Sequence, residues 1–183
     1  MALDIEKALA IQGWMSEEEL TWLATNAASA AIVIEIGSFQ GRSTRALGDH
    51  CQGTVYAVDP WERYLENHGA PHDLDQSDDT FRQNLCDLID AGKVVPVKGL
   101  SKDVLGSGVL EPADLIFLDG DHRYETVLWE LVAYSRLLRP GGIMSGHDYY
   151  HPSCPGVRQA VDDVFGPANV NHCGNIWWVG GAH

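Results

Sequence analysis

Six side chains able to do acid–base or coordination chemistry stand at or just beyond the ends of short apolar runs: Glu35, Asp59, Asp119, His122, His147 and Asp148. Carboxylates accept hydrogen bonds from hydroxyls and ligate hard cations. Imidazole titrates near pH 6.5 and serves as a base at neutral pH. An acid closing a buried strand lies where open α/β sheets bind their ligands. The pattern therefore predicts one rim of a sheet that carries carboxylates and imidazoles.

The elements that must position these groups are readable in order. Ile32-Val-Ile-Glu-Ile-Gly37 is a β-branched run ended by glycine, which suits a strand covered on both faces and feeding a helix near Arg42–Ser43. Gly37 and Gly41 allow a sharp turn and close approach of a ligand. The dinucleotide fingerprint GxGxxG would need glycines at 37, 39 and 42, but Phe39 and Arg42 stand there. A nucleoside ligand other than NAD is expected. Thr54 to Asp59 is a second strand, and its terminal acid lies about twenty positions beyond the turn, where a carboxylate reads ribose hydroxyls. Trp61 is expected to border the base, with an exposed structural Trp as the alternative.

Beyond it, 62–77 is polar and contains His68 and His72, which predicts a mobile loop over the site rather than a metal pair. A helix is expected over 78–91, a third strand at Val94–Lys98 confined to an edge by Pro96, and a base-contacting loop at Gly99–Ser101. Asp114–Asp119 is a fourth strand, Tyr124–Leu138 a helix ended by Arg139-Pro-Gly-Gly, and Ile143–Asp148 a fifth strand. A helix over 156–165 precedes two short runs joined by Gly174-Asn175, the signature of a β-hairpin. Before the first strand, 4–13 suits a short helix, and Ser16 with Glu19 forms a capping box opening a second one through about Ser29. Residues 1–30 are thus a helical extension on a single domain over 31–183. Alternating strands and helices imply a mostly parallel sheet wound on both faces.

A formal net charge of −14 over 183 residues argues against nucleic acid and anionic membranes as partners. The four cysteines form no CxxC pair, and Met1–Ile11 does not read as a signal peptide, so free thiols in a reducing cytoplasm are expected. No apolar segment approaches the ~20 residues that span a bilayer.

Glu35-Ile-Gly37-Ser38-Phe-Gln-Gly41-Arg-Ser43, Val55–Asp59, Asp114–Asp119 and Leu138-Arg-Pro-Gly-Gly-Ile143 together resemble the motifs of class I S-adenosylmethionine-dependent methyltransferases. Leu118-Asp-Gly-Asp-His-Arg-Tyr-Glu125 with Gly146-His-Asp148 is similar to small O-methyltransferases of natural-product and sugar tailoring, related to the metal-dependent catechol-type enzymes. The resemblance implies a Rossmann-like, doubly wound, mostly parallel seven-stranded sheet with a C-terminal antiparallel hairpin. It implies S-adenosylmethionine as methyl donor and a small-molecule hydroxyl as acceptor. Glu35, Gly37, Ser38, Gly41 and Ser43 would surround the methionine part, Asp59 the ribose, and Trp61, Gly99 and Ser101 the adenine, with Asp119 at the same mouth.

Two carboxylates, Asp119 and Asp148, on neighbouring strand ends would lie about 5 Å apart and converge on one cation. The metal-dependent relatives place ligands at the positions of Asp119, His147 and Asp148, and a base at that of His122. A divalent cation such as Mg²⁺, Mn²⁺ or another transition metal is expected, with the imidazole of His147 favouring the latter unless it serves as a base or acceptor contact. Asp121 is a reserve ligand. Hydrogen-bonded strand-end caps in a metal-free enzyme are the alternative for the two aspartates. An NAD-dependent oxidoreductase and a non-catalytic assembly subunit are the rival functions, and Trp177 and Trp178 serve either a core or a homo-oligomer interface.

Overall fold

The computed structural model describes residues 3–61 and 77–181. The expectations on the 62–77 loop, including His68 and His72, fall on 62–76 and the Ser77 side chain, outside the described residues.

Strands β1 (Ile32–Ile36), β2 (Thr54–Asp59), β3 (Val94–Lys98), β4 (Ala113–Leu118), β5 (Leu138–Gly146), β6 (Asn171–Cys173) and β7 (Ile176–Gly180) form one seven-stranded sheet in the order β3-β2-β1-β4-β5-β7-β6. The first five pair in parallel, and β7 is antiparallel to both β5 and β6. The order reverses between β1 and β4, so the crevice expected of an open α/β sheet lies above their carboxyl ends. Pro96 stands on the edge strand β3, as a residue without an amide donor must.

Both faces are covered. Val33, Val55, Ala57, Leu115 and Phe117 pack against a layer from helices α1 (Glu6–Ala10), α2 (Glu17–Ala27), α3 (Arg42–His50), α4 (Ser77–Asn84) and α5 (Cys86–Asp90). Ile34, Ile36, Val58, Ile116 and Leu118 alternate with them and pack against α6 (Ser101–Ser107), α7 (Tyr124–Tyr134) and α8 (Pro155–Phe165). Period-two alternation in strands that are apolar on both sides is what a doubly wound sheet requires.

Three element boundaries differ from the sequence reading. The helix expected over 78–91 breaks at Leu85 (φ −113°, ψ 9°) into α4 and α5. The break sets Leu85 against Gly41, and Asn84 Nδ2 donates to Gln40 O at 2.9 Å, so both residues serve the turn after β1. Helix α6 starts at Ser101, the last residue of the stretch read as a base-contacting loop, and Gly108 ends it at φ +73°. The helix expected to reach Leu138 stops at Tyr134; a 3₁₀ turn follows and β5 starts at Leu138, because proline at 140 disfavours helical backbone in the residue before it.

The capping box is present: Ser16 Oγ accepts from Glu19 N, and Ser16 N donates to Glu19 Oε2 at 2.8 Å. At the opposite end of the sheet from the site, Asp114 Oδ2 accepts from Ala31 N (2.8 Å) and Ile32 N (2.9 Å), while Arg139 Nη1 lies 3.0 Å from its Oδ1. That carboxylate clasps the starts of β1, β4 and β5 together.

Candidate active site

The turn between β1 and α3 is built by backbone. Gly37 (φ +90°), Phe39 (φ +44°) and Gly41 (φ +93°) all occupy left-handed conformations. A Cβ on Gly37 would sit 2.1 Å from Asp119 O, so only glycine lets this turn approach the end of β4. Gly41 N donates to Ser38 O at 2.8 Å and closes the turn at the start of α3.

Glu35 is fully buried beneath it. Its Oε2 accepts from Ser38 Oγ at 2.8 Å and from Thr44 Oγ1, whereas Oε1 is buried without a hydrogen-bond partner. Burial outweighs the nearby hydroxyls of Ser43, Thr44 and Ser38 and pushes its carboxyl up to about 7. Asp59 links the two turns: its Oδ2 accepts from Phe39 N (2.9 Å) and its Oδ1 from Trp61 N (2.7 Å). Burial raises its pKa against those two donors. Gly99 N donates to Asp59 O at 3.0 Å, which brings the Gly99–Ser101 segment beside the same strand end. The geometry thus gathers Glu35, Gly37, Ser38, Gly41, Ser43, Asp59 and Gly99 at one rim.

Trp61 is buried, which sets aside the alternative of an exposed structural Trp. It is 4% exposed, donates from Nε1 to Phe39 O at 2.8 Å and packs on Phe81 with ring centroids 4.8 Å apart. It supports the turn from below rather than standing as an open wall, because its indole finds an apolar partner and a carbonyl acceptor inside the α4 layer.

At the β4 and β5 ends the site is built by side chains. Asp119 N donates to Ile36 O and His147 N to Leu118 O, so the three strand ends are adjacent. Asp119 Oδ1 lies 3.8 Å from both His122 Nε2 and His147 Nδ1. Asp148, at φ +62°, presents Oδ1 to His147 Nδ1 at 3.4 Å and Oδ2 to His122 Nε2 at 2.9 Å. The latter is an ion-pair contact without hydrogen-bond alignment. Burial lowers the pKa of each imidazole, but Asp119 and Asp148 overcome it for His122, and the same pair with Glu19 for His147, so both rise to about 10. Asp148 is depressed despite burial by the two imidazoles, and burial raises Asp119.

One ligand atom each from Asp119, His147 and Asp148 lies within 4.8 Å of the others, and so does one each from His122, Asp148 and Cys154. The first trio is the set expected from the sequence. Asp121 is not in either trio: its carboxylate is engaged by Arg123 and Thr126.

Sequence reading missed three contributors. Glu19, in the N-terminal α2, reaches His147 Nε2 at 3.2 Å; its capping signature accounts for one carboxylate oxygen and gives no hint of the other. Cys154 and His122 approach only through the fold. Immediately beyond Asp148, a cleft of about 340 Å³ is lined by Tyr149, Tyr150, Pro155, Arg158, Gln159 and Asp162 among others. The Arg158 guanidinium lies 5.4 Å from the ring centres of both tyrosines.

No helix among the described residues is long and apolar enough to cross a membrane. No curated protein matches the sequence significantly. Among solved structures, the chain is similar to cofactor-bound Rv0187 from MTB (TM-score 0.70, 20% identity, 94% of this chain and 84% of that one). It is also similar to an O-methyltransferase from Bacillus cereus in complex with SAH (0.68, 20%, 96% and 90%). A third is the O-methyltransferase TomG from Streptomyces achromogenes, involved in tomaymycin synthesis and in complex with SAM (0.67, 18%, 99% and 88%). At these identities the likeness is one of fold. The family model described as a methyltransferase domain matches residues 34–149, from within β1 to just past Asp148. The chain belongs to that methyltransferase family and has the class I, S-adenosylmethionine-dependent architecture.

Proposed function

We propose that this protein methylates a hydroxyl oxygen of a small-molecule acceptor, with a divalent cation at Asp119, His147 and Asp148 and with His122 as general base. The observation that carries the reading is the meeting, above β1, β4 and β5, of a glycine-built turn with a cluster of imidazoles and carboxylates. Gly37 abuts the backbone of Asp119, which puts the donor's cradle next to the acceptor's charges.

S-adenosylmethionine, when bound, supplies a sulfonium methyl that passes to the oxygen as the C–S bond breaks and leaves a thioether. A divalent cation, when bound, orients the acceptor hydroxyl and lowers its pKa. The remaining work belongs to this chain. Asp59 offers unused lone pairs to ribose hydroxyls, and Glu35 supports the methionine end from beneath, its Oε2 held by Ser38 and Thr44 and its Oε1 buried without a partner. Asp148 holds His122 for removal of the acceptor's proton, a role that needs the neutral imidazole; a cation offsetting the charge of Asp119 and Asp148 would lower the raised pKa of His122 toward that form. Alignment of oxygen and methyl by such fixed groups is worth on the order of 7 kcal/mol in favourable cases. Tyr149, Tyr150 and Arg158 receive the acceptor's unreacting part in the cleft beyond Asp148. The four cysteines are free, in keeping with a cytoplasmic enzyme.

A second reading, metal-free catalysis by His122 or His147, is favoured by the contacts of Asp148 Oδ2 with His122 Nε2 at 2.9 Å and of Asp148 Oδ1 with His147 Nδ1 at 3.4 Å, which orient both rings by a carboxylate alone. Chelator separates the two: loss of turnover restored by added cation supports the first, and full turnover in chelator supports the second. Binding of S-adenosylmethionine, measured by thermal shift against NAD, tests the reading as a whole. Stabilisation by NAD alone would refute it.

A further inference from the structure

We infer that Glu19 is a positioning residue for the cation site, holding the Nε2–H of His147 so that Nδ1 faces Asp119 and Asp148. The site so formed takes a borderline transition metal, such as Mn²⁺, Fe²⁺ or Zn²⁺, in preference to Mg²⁺. The inference rests on the metal-assisted reading above and adds to it an outer carboxylate, from the N-terminal extension, and a class of metal.

The two ring nitrogens of His147 have different surroundings. Nε2 lies 3.2 Å from Glu19 Oε1, while Nδ1 lies 3.4 Å from Asp148 Oδ1 and 3.8 Å from Asp119 Oδ1. A neutral imidazole that donates from one nitrogen presents a lone pair at the other. With Nε2–H held by Glu19 and a cation bound, that lone pair would be aimed at the same ion as the two carboxylate oxygens, and donors sharing one cation at about 2.1 Å stand roughly 3 to 3.5 Å apart. The two separations from Nδ1 need close by only a few tenths of an ångström, and the two carboxylate oxygens lie within 4.8 Å of each other.

Glu19 itself is fixed from three sides. Ser16 N and Oγ both donate to Oε2 at 2.8 Å, and Asn175 N, in the β6–β7 turn, donates to Oε1 at 2.8 Å. It is 4% exposed, and a Cβ on Gly174 would lie 2.6 Å from its Oε1, so the turn closes directly over the carboxylate. A helix cap and a turn anchor need no imidazole; the third contact is what ties this carboxylate to the rim. Histidines that bind metal donate their other N–H to such a carboxylate, which fixes the tautomer and raises the basicity of the ligating nitrogen. Mg²⁺ is served by oxygen donors and tolerates imidazole poorly, whereas Mn²⁺, Fe²⁺ and Zn²⁺ accept a mixed set of imidazole and carboxylate.

The test is calorimetric titration of the full-length, chelator-treated protein with Zn²⁺, Mn²⁺ and Mg²⁺, with neither methyl donor nor acceptor present. The wild type is expected to bind the transition metals at least about tenfold more tightly than Mg²⁺. Glu19→Ala should weaken transition-metal binding by about 10- to 100-fold. Glu19→Gln, which keeps an oxygen where Oε1 lies, should recover part of the loss. Ser16→Ala, which loosens the cap but leaves the Glu19–His147 contact, should bind metal as the wild type does. Should Glu19→Ala fail to fold, ¹⁵N spectra of the imidazoles in the Zn²⁺-loaded wild type decide: Nε2 protonated and Nδ1 metal-bound is expected, and the reverse overturns the inference. Wild-type metal affinity in Glu19→Ala also overturns it, and Mg²⁺ binding as tight as Zn²⁺ overturns the metal class. A protein that binds no divalent ion yet still binds S-adenosylmethionine would refute the site and leave the methyltransferase reading standing.

Discussion

The two halves of the rim are made of different material. Above β1 and β2 the shape comes from main chain: left-handed residues at 37, 39 and 41, amides pointed at Asp59, and glycine where any side chain would strike the end of β4. Above β4 and β5 it comes from side chains, with imidazoles and carboxylates balancing one another within a few ångströms. The first half suits a ligand that does not vary, since backbone geometry changes little with sequence. The second suits chemistry, where charge and proton affinity must be set residue by residue.

The contrast predicts which substitutions break shape and which break charge. The largest effect is expected from Gly37→Ala: its Cβ would overlap the carbonyl of Asp119, at a left-handed φ, and should cost about 3 kcal/mol or more of stability in urea unfolding together with S-adenosylmethionine binding. Asp148→Asn should leave circular dichroism and S-adenosylmethionine affinity unchanged while lowering turnover by about 10²- to 10³-fold. If it abolished donor binding instead, the two halves would not be separable.

Glu35 tests the donor half through pH. Its folded pKa is raised from 4.5 to about 7, so the native state holds a proton that the unfolded chain releases. Stability is therefore full below pH 4.5 as far as this group is concerned, and is lost as pH rises to 7, at no more than about 1.4 kcal/mol per pH unit. Denaturation across that window should show a decline about 3 kcal/mol smaller in Glu35→Gln than in the wild type, since Glu130, likewise raised to about 7 by burial, contributes to both. The smallest effect is expected in the cleft: Tyr150→Ala should raise the acceptor KM by a few-fold, about 1 kcal/mol, without changing kcat.

Much of the donor half was legible in sequence because its signals are local. A β-branched run, two glycines and an acid specify a strand and the turn that follows it within a dozen residues, and Ser16 with Glu19 specifies a helix start within four. In the other half the convergence of Asp119, His147 and Asp148 was legible, but the residues that reach them from other layers were not. That Asp119, His147 and Asp148 meet follows from β4 and β5 being neighbours, while the reach of Glu19 to His147 and of Cys154 to His122 depends on how layers pack. The burial of Trp61 was not legible for the same reason: it depends on Phe81, in helix α4. The helix break at Leu85 answers to the turn at Gln40–Gly41, a tertiary demand that overrides a continuous apolar stripe.

Asp114, at the far edge of the sheet, has a bearing on all of this. Gly37 and Asp119 meet only in the observed register, so sliding β1 past β4 by one residue would carry Gly37 off Asp119. By seizing the amides of Ala31 and Ile32 and the guanidinium of Arg139, that one carboxylate acts as the zero mark of a ruler: the distance at which methyl would meet oxygen is set from the end of the molecule where no reaction takes place.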